Sequence, residues 1–372
     1  MKSLSSRTID WVRFPLVILV LFVHCHAEEF CYAVPVADLA GHSFGEILLS
    51  VLAFAMAWFG TAAVPVFFML SGYLFFMKSP DNWSWDFYKG KLKKRVKTLF
   101  IPYILFNMIC VISALCCGAP AWRNPDMIPV LGYFWNSTTF CVGMHNWYGL
   151  DMQLFYPEVI PLWFVRDLMF MCVISPVVWY LLKKFPNPTL FVLLFVYISG
   201  LWIGANGYNS QALTFFSFGA YFSIHGKDMV EWCYKHVWKL LPVTLILLAI
   251  ATYWNSLTDA QQVYHGVYLC GAFLIIGLTA LWADHSGKTV MPLLPNCSFF
   301  VYALHMCYIG TFSVLDFCPQ TLQSVLGTPD NFFSAFTEFL IGPWVVAAFC
   351  MAIYVAMKKI CPQVLGLFTG GR

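Results

Sequence analysis

Long apolar runs, separated by short polar segments, recur along the whole 372-residue chain. A helix needs about 20 apolar residues to cross the hydrocarbon core of a bilayer, and ten segments approach that length. The second segment is too long for one straight crossing, and Gly60 and Pro65 give it a place to kink. The ten predicted spans cover residues 9–27, 47–77, 98–118, 160–182, 188–205, 211–225, 238–255, 263–283, 290–312 and 335–357.

The composition agrees with this pattern. Hydrophobic residues make up 60% of the chain and charged residues only 10%, whereas soluble domains carry about 25% charged residues. We therefore expect an all-α fold, a polytopic bundle of about ten transmembrane helices, with residues 1–372 as a single integral membrane domain. The first apolar run lacks a small-residue cleavage site, so we expect a retained span and no signal peptide.

The positions of the basic residues predict the orientation. With both termini in the cytoplasm and ten spans, 19 of the 21 Lys and Arg residues fall in inner segments or at their edges, as the positive-inside rule requires. Arg123 lies in an outer loop, and Arg166 lies well inside a span. The basic clusters therefore mark topology, and the sequence predicts no nucleic-acid binding.

Two polar residues of the first span share one helical face. Arg13 and His24 are eleven positions apart, which is about three turns and about 16 Å. Asp10 is one turn before Arg13 and within pairing distance of it. Each residue also has a structural interpretation, Arg13 as a snorkelling anchor and His24 as an interfacial histidine. Their shared face favours a functional interpretation, because ionisable groups in a membrane are costly.

Two further polar residues are expected near the depth of His24. Arg166 enters from the outer side in span four, and His305 lies in the middle to outer part of span nine. Arg166 and Asp167 point about 100° apart on a helix, so we expect them to be poor partners for each other. The sequence predicts that His24, Arg166 and His305 converge in one layer.

The inner half of the second span and the segment after it are candidates for donor binding. Ser71 and Gly72 are small residues among bulky ones, which indicates either close helix packing or a narrow point lining a cavity. Six cations then occur within nine residues, a topology signal that would also attract a polyphosphate. The cations that we assign to donor binding are Lys89, Lys91, Lys93, Lys94 and Arg95.

The largest outer segment, about residues 119–159, is rich in aromatic residues, which suit either a sugar ring or an interfacial aromatic belt. Candidate acceptor-binding residues in and after it are His145, Asp151, Glu158 and Trp163. The 14 cysteines and nine histidines show no zinc-type spacing, so no metal site is expected. The sequence leaves open whether disulfides form among Cys31, Cys141 and Cys318.

Several stretches, in order, resemble the membrane acyltransferase family 3, the integral membrane O-acyltransferases. Arg13 and His24 match the family's first-span pair. The other similar pieces, within residues 7–310, are "FFMLSGYLF" at 67–75, "KKRVKTLFIPY" at 93–103, "PLWFVRDL" at 161–168, "FFSFGAYF" at 215–222 and "SFFVYALH" at 298–305. The resemblance implies ten spans and acyl transfer from a cytosolic donor, usually acetyl-CoA, to a hydroxyl of an extracytoplasmic glycan. We expect no extra soluble esterase-like domain of the kind that some members carry, so the chain is expected either to complete the transfer alone or to use a separate periplasmic transferase.

The functional hypothesis assigns one role to each candidate. His24 is the general base and His305 the reserve base. Arg13 and the donor-binding cations hold the CoA phosphates, and Arg166 stabilises the oxyanion or orients the acceptor. No cofactor is expected beyond the acyl-CoA substrate, and the expected location is a bacterial inner membrane. The acceptor glycan, acetyl versus succinyl transfer, and a transient acyl-histidine stay open, and the alternative function is a glycan or small-molecule transporter or flippase.

Overall fold

The structure is a computed structural model. It describes residues 3–24, 40–79, 83–117, 134–135, 142–145, 151–154, 156–200, 208–255, 261–309, 312–315 and 332–371. Most of these residues are helical. The helices are α1 Leu4–His24, α2 Phe44–Thr61, α3 Ala63–Phe76, α4 Trp85–Arg95, α5 Ile101–Cys117, α6 Trp163–Lys184, α7 Pro186–Ile198, α8 Ser210–Ile224, α9 Met229–Asn255, α10 Gln261–Ser286, α11 Leu293–Leu304, α12 Phe332–Ile360 and α13 Pro362–Thr369.

Four short segments depart from α-helix. A π-helical turn, Val96–Phe100, joins α4 to α5, and a 3₁₀ turn, Ile160–Leu162, precedes α6. Two short antiparallel hairpins were not expected from the apolar pattern. They pair β1 Val142–His145 with β2 Asp151–Leu154, and β3 Tyr308–Ile309 with β4 Phe312–Ser313.

The helices agree with the predicted segments. Each of the ten segments contains a helix. The second segment is divided into α2 and α3 by an interruption of the helix at Ala62, which lies between Gly60 and Pro65. In the part of the chain that the structure describes, six helical segments are long and apolar enough to cross a membrane, and α7 and α11 are shorter apolar helices. The chain is therefore a multi-pass membrane protein. The count of ten crossings and the cytoplasmic termini stay predictions.

The chain forms two compact units that alternate along the sequence, so the single domain expected over residues 1–372 stays a prediction. The first unit comprises residues 1–66, 230–305 and 315–351. Here α1 packs against α2, α10 and α11. A Cβ on Gly60 would lie 2.9 Å from the Leu19 carbonyl oxygen, so α1 and α2 approach backbone to backbone. At the start of α1, the Arg7 guanidinium donates to the Ala283 carbonyl (2.9 Å) and the Trp11 indole to the Lys288 carbonyl (3.1 Å).

The second unit comprises residues 67–229, 306–314 and 352–372. Here α6 and α7 pack against α8, and α13 packs against α5. The backbones of α3 and α8 meet at two glycines. A Cβ on Gly72 would lie 2.0 Å from the Phe216 carbonyl oxygen, and one on Gly219 would lie 1.9 Å from the Met69 carbonyl oxygen. No other residue fits either position without separating the helices.

Candidate active site

Helix α1 carries both residues of the first-span pair. Its middle is buried and apolar, and His24 is its last residue. Arg13 forms the ion pair expected from the sequence, with 3.8 Å between its Nη1 and the Asp10 Oδ1, and remains 40% exposed. This exposure leaves part of the guanidinium accessible to a second anion.

His24 and His305 form a pair in the first unit. Their ring centres are 5.4 Å apart and their planes are inclined by 41°. His24 is half-buried, whereas His305, directly after α11, is fully buried. The expectation that these two histidines share one layer is therefore confirmed. The periodicity of two apolar runs far apart in sequence was sufficient to predict it.

The hydrogen bonds of His305 define its tautomer. Its Nδ1 lies 2.7 Å from the Tyr302 carbonyl oxygen, and a carbonyl only accepts, so Nδ1 carries the proton. In the neutral ring, Nε2 then presents a lone pair. Nε2 has no hydrogen-bond partner among the residues that the structure describes. A buried acceptor without a partner is costly, so packing alone does not explain Nε2.

Arg166 is buried in the second unit, as expected, at 3% exposure. Its Nε donates to the Asp167 Oδ1 at 3.1 Å and its Nη1 to the Trp135 carbonyl at 2.8 Å. The guanidinium carbon also lies 5.6 Å from the Trp135 ring centre. The expectation that Arg166 and Asp167 are poor partners was wrong, because the long arginine side chain folds back where both groups are buried. Convergence of Arg166 with the two histidines stays a prediction.

A buried polar network surrounds Arg166, and the sequence interpretation missed most of it. Asn107 on α5 donates to the Tyr103 carbonyl and accepts from the Val159 backbone N–H at 2.9 Å. The Tyr308 hydroxyl donates to the Glu158 carboxylate, and the Tyr103 hydroxyl to the Phe134 carbonyl. Asn107 was the available signal, a polar amide inside an apolar span. Glu158, expected as an acceptor contact in a loop, is instead buried within this network.

One titratable group lies just outside the fourth span, next to this network. Burial raises the pKa of the Tyr156 phenol, and the nearby Arg166 opposes the shift. The phenol therefore stays protonated at neutral pH and retains its donor.

The basic segment divides into two faces on α4. Lys91 Nζ lies 5.0 Å from the Phe87 ring centre and 5.9 Å from the Phe75 ring centre, and the Arg95 guanidinium carbon lies 5.7 Å from the Phe75 ring centre. Both cations are half-buried and one helical turn apart. The other cations of the segment are exposed, and they are Lys89, Lys93, Lys94 and Lys97. Lys91 and Arg95 both lie over Phe75, at the C-terminal end of α3.

The remaining candidates lie at packing positions or in the β1–β2 hairpin. The contact between Gly72 and Phe216 supports the packing interpretation of the Ser71–Gly72 pair, and Ser71 itself is half-buried. Trp163 is also half-buried, with its ring centre 6.3 Å from that of Phe68. His145 and Asp151 are backbone partners across the β1–β2 hairpin. Cys31, Cys141 and Cys318 lie outside the described residues.

Comparisons with known proteins bear on these residues. The sequence model of the acyltransferase domain of acyltransferase family 3 matches residues 7–357. The succinoglycan biosynthesis protein ExoH of Rhizobium meliloti (strain 1021) is 29% identical over 324 residues, which cover 83% of this chain and 79% of that protein. No solved structure matches the chain. The matched region contains the histidine pair, the divided basic segment and the buried arginine network. The chain therefore belongs to acyltransferase family 3 and is a multi-pass membrane O-acyltransferase.

Proposed function

We propose that this enzyme moves an acyl group, most simply acetyl, from cytosolic acyl-CoA to a hydroxyl of an extracytoplasmic glycan. The observation that carries the proposal is the His24–His305 pair inside a membrane O-acyltransferase. The acceptor class rests on the relative ExoH, whose name assigns it to the biosynthesis of succinoglycan, a glycan. A bacterial inner membrane, with both termini in the cytoplasm, is the location that fits this reaction.

The chemistry requires one base. Neutral His24 takes the proton from the acceptor hydroxyl as the oxygen attacks the thioester carbonyl carbon. The carbon–sulfur bond then breaks, and the CoA thiolate leaves and gains a proton from solvent. The His24 imidazolium releases its proton to solvent, which regenerates the neutral base. Half-burial suits this role, because His24 is accessible to a substrate yet partly shielded from bulk water.

The proposed donor site uses the two half-buried cations of α4. Lys91 and Arg95 are one turn apart and half-buried, so a bound phosphate would neutralise two charges that otherwise repel. In the first unit, Arg13 is a separate proposed contact for the donor, through the exposed part of its guanidinium. Lys89, Lys93 and Lys94, which were candidates from the sequence, are exposed, and we assign them to topology and long-range attraction.

The acceptor end combines an anchored loop and aromatic side chains. Arg166 and Tyr103 hold the backbone carbonyls of Trp135 and Phe134, so we propose that Arg166 orients the acceptor through this loop. Trp163, His145, Asp151 and Glu158 remain the proposed acceptor contacts. Direct transfer by this chain is the simplest scheme, and a separate periplasmic transferase is the alternative.

The experiment uses inside-out membrane vesicles supplied with radiolabelled acetyl-CoA or succinyl-CoA. We expect base-labile label in the glycan fraction of wild-type vesicles with one of the two donors, and none with His24→Ala. Absence of label with both donors, together with exchange of labelled saccharide across the vesicle membrane, would instead identify a transporter.

A further inference from the structure

We propose that His305 is a positioning residue for His24: its Nε2 accepts a hydrogen bond from the imidazolium that His24 becomes when it takes the acceptor's proton. This inference rests on the proposed function and deepens it. His305 was expected as a reserve base. The inference instead gives its Nε2 atom one role, at the step in which His24 becomes protonated.

The first argument is the unsatisfied lone pair. The Tyr302 carbonyl holds the Nδ1 proton of His305 at 2.7 Å, so the ring cannot flip without losing that bond. Nε2 is left as a fixed acceptor in a fully buried side chain, with no hydrogen-bond partner among the described residues. Burying an acceptor without a partner costs stability. The fold therefore presents Nε2 as a fixed acceptor for a donor that comes within reach.

The second argument is distance. Two imidazoles joined by one near-linear hydrogen bond have ring centres roughly 5 Å apart, for a donor–acceptor separation of about 3 Å. The ring centres of His24 and His305 are 5.4 Å apart and their planes are inclined by 41°, so their separation fits one hydrogen bond between the two rings. His24 is half-buried and is the last residue of α1, and the proposal requires its ring to turn toward Nε2 when it becomes protonated.

The third argument is the change in donor count. Neutral His24 has one N–H, whereas the imidazolium has two. One of these holds the proton just taken from the acceptor hydroxyl, and the other needs an acceptor in a site with little water. Nε2 of His305 supplies that acceptor, so the hydrogen bond forms as charge develops on His24 and stabilises the transition state more than the ground state. His305 keeps its own proton on Nδ1 throughout.

The experiment compares two substitutions of similar size in the purified, reconstituted enzyme. His305→Gln keeps an amide N–H for Tyr302 and a carbonyl oxygen for His24, whereas His305→Met keeps neither. We expect kcat for acyl transfer to fall at least 100-fold with His305→Met but less than about 10-fold with His305→Gln, because only the glutamine restores the acceptor. The KM for acyl-CoA should stay within about threefold in both variants. His236→Gln, on an exposed face of α9, is the control and should leave kcat unchanged.

Two results would overturn the inference. Equal kcat losses in His305→Gln and His305→Met, with wild-type melting temperatures, would show that the acceptor atom is irrelevant. Label retained covalently on His305 after incubation with radiolabelled acyl-CoA alone would make His305 an acyl carrier. Failure of the proposed function is distinguishable from both results, because the wild-type enzyme itself would then transfer no acyl group.

Discussion

Arg13 and His24 lie on one helix, but we assign them different parts of the reaction. Substitution of His24 should therefore change kcat, and substitution of Arg13 should change the KM for the donor. His24→Ala removes the base, so we expect kcat to fall by about 10²–10⁴-fold while the protein remains in the membrane. The measurement is initial-rate kinetics in vesicles that contain matched amounts of enzyme. Transfer at the wild-type rate by His24→Ala would contradict the assignment.

Arg13→Ala should affect donor binding instead. Loss of one charge-assisted contact to a CoA phosphate should raise the KM for acyl-CoA roughly tenfold or more, with kcat within a fewfold of wild type. Asp10→Asn is the matched control, because it removes the ion-pair partner of Arg13 and keeps the guanidinium. Unchanged donor KM in Arg13→Ala would remove Arg13 from the donor site.

The residue scale also shows where sequence reasoning succeeds. His24 and His305 each lie in an apolar run whose length and helical period define depth, so their shared layer was predictable. The contacts of Glu158 with Tyr308, and of Asn107 with Val159, join residues 150 and 52 positions apart. No local pattern encodes such pairs. The Arg166–Asp167 ion pair was missed because helical geometry describes Cβ directions and not the reach of an arginine side chain.

At the scale of elements, α4 provides an internal comparison between its two faces. Lys91→Gln and Arg95→Gln should each raise the KM for acyl-CoA by about 10-fold or more, because each removes a half-buried phosphate contact. Lys93→Gln and Lys94→Gln should raise it less than about fivefold, since exposed charge pairs contribute under about 1 kcal/mol. Equal effects from all four substitutions would indicate general electrostatic attraction without a defined phosphate site.

The crossing of α3 and α8 depends on two glycines. Gly72→Ala and Gly219→Ala each place a methyl group against a backbone carbonyl, so we expect a loss of at least about 1–3 kcal/mol of stability from overpacking. Thermal unfolding of the detergent-solubilised protein measures this. Gly266→Ala is the control, because its Cβ would lie 3.5 Å from the Leu247 side chain, an ordinary contact. Wild-type melting temperatures for Gly72→Ala and Gly219→Ala would contradict the close crossing.

Glycine spacing alone did not reveal this contact. The motif around Gly72 suggested close packing to some helix, but its partner, Gly219, lies 147 positions away in a motif of its own. The helices themselves followed from hydrophobicity, whereas their pairing depends on three-dimensional complementarity that one sequence does not display.

At the scale of the whole molecule, the account requires a cytosolic donor side and an outer acceptor side. The ten predicted spans would place both termini inside and residues 119–159 outside. We expect a C-terminal epitope to be protected from protease in intact bacterial spheroplasts, and an epitope inserted at residues 146–150 to be cleaved. Cleavage of the C-terminal epitope in intact spheroplasts would contradict the predicted sidedness.

The central claim is that this chain esterifies a surface glycan. Mass spectrometry of surface glycans, before and after mild base, tests it most directly in wild-type, deletion and His24→Ala cells. The account predicts a base-labile acyl group in wild type alone, and its mass distinguishes acetyl from succinyl. The same base-labile groups in all three strains would contradict the claim.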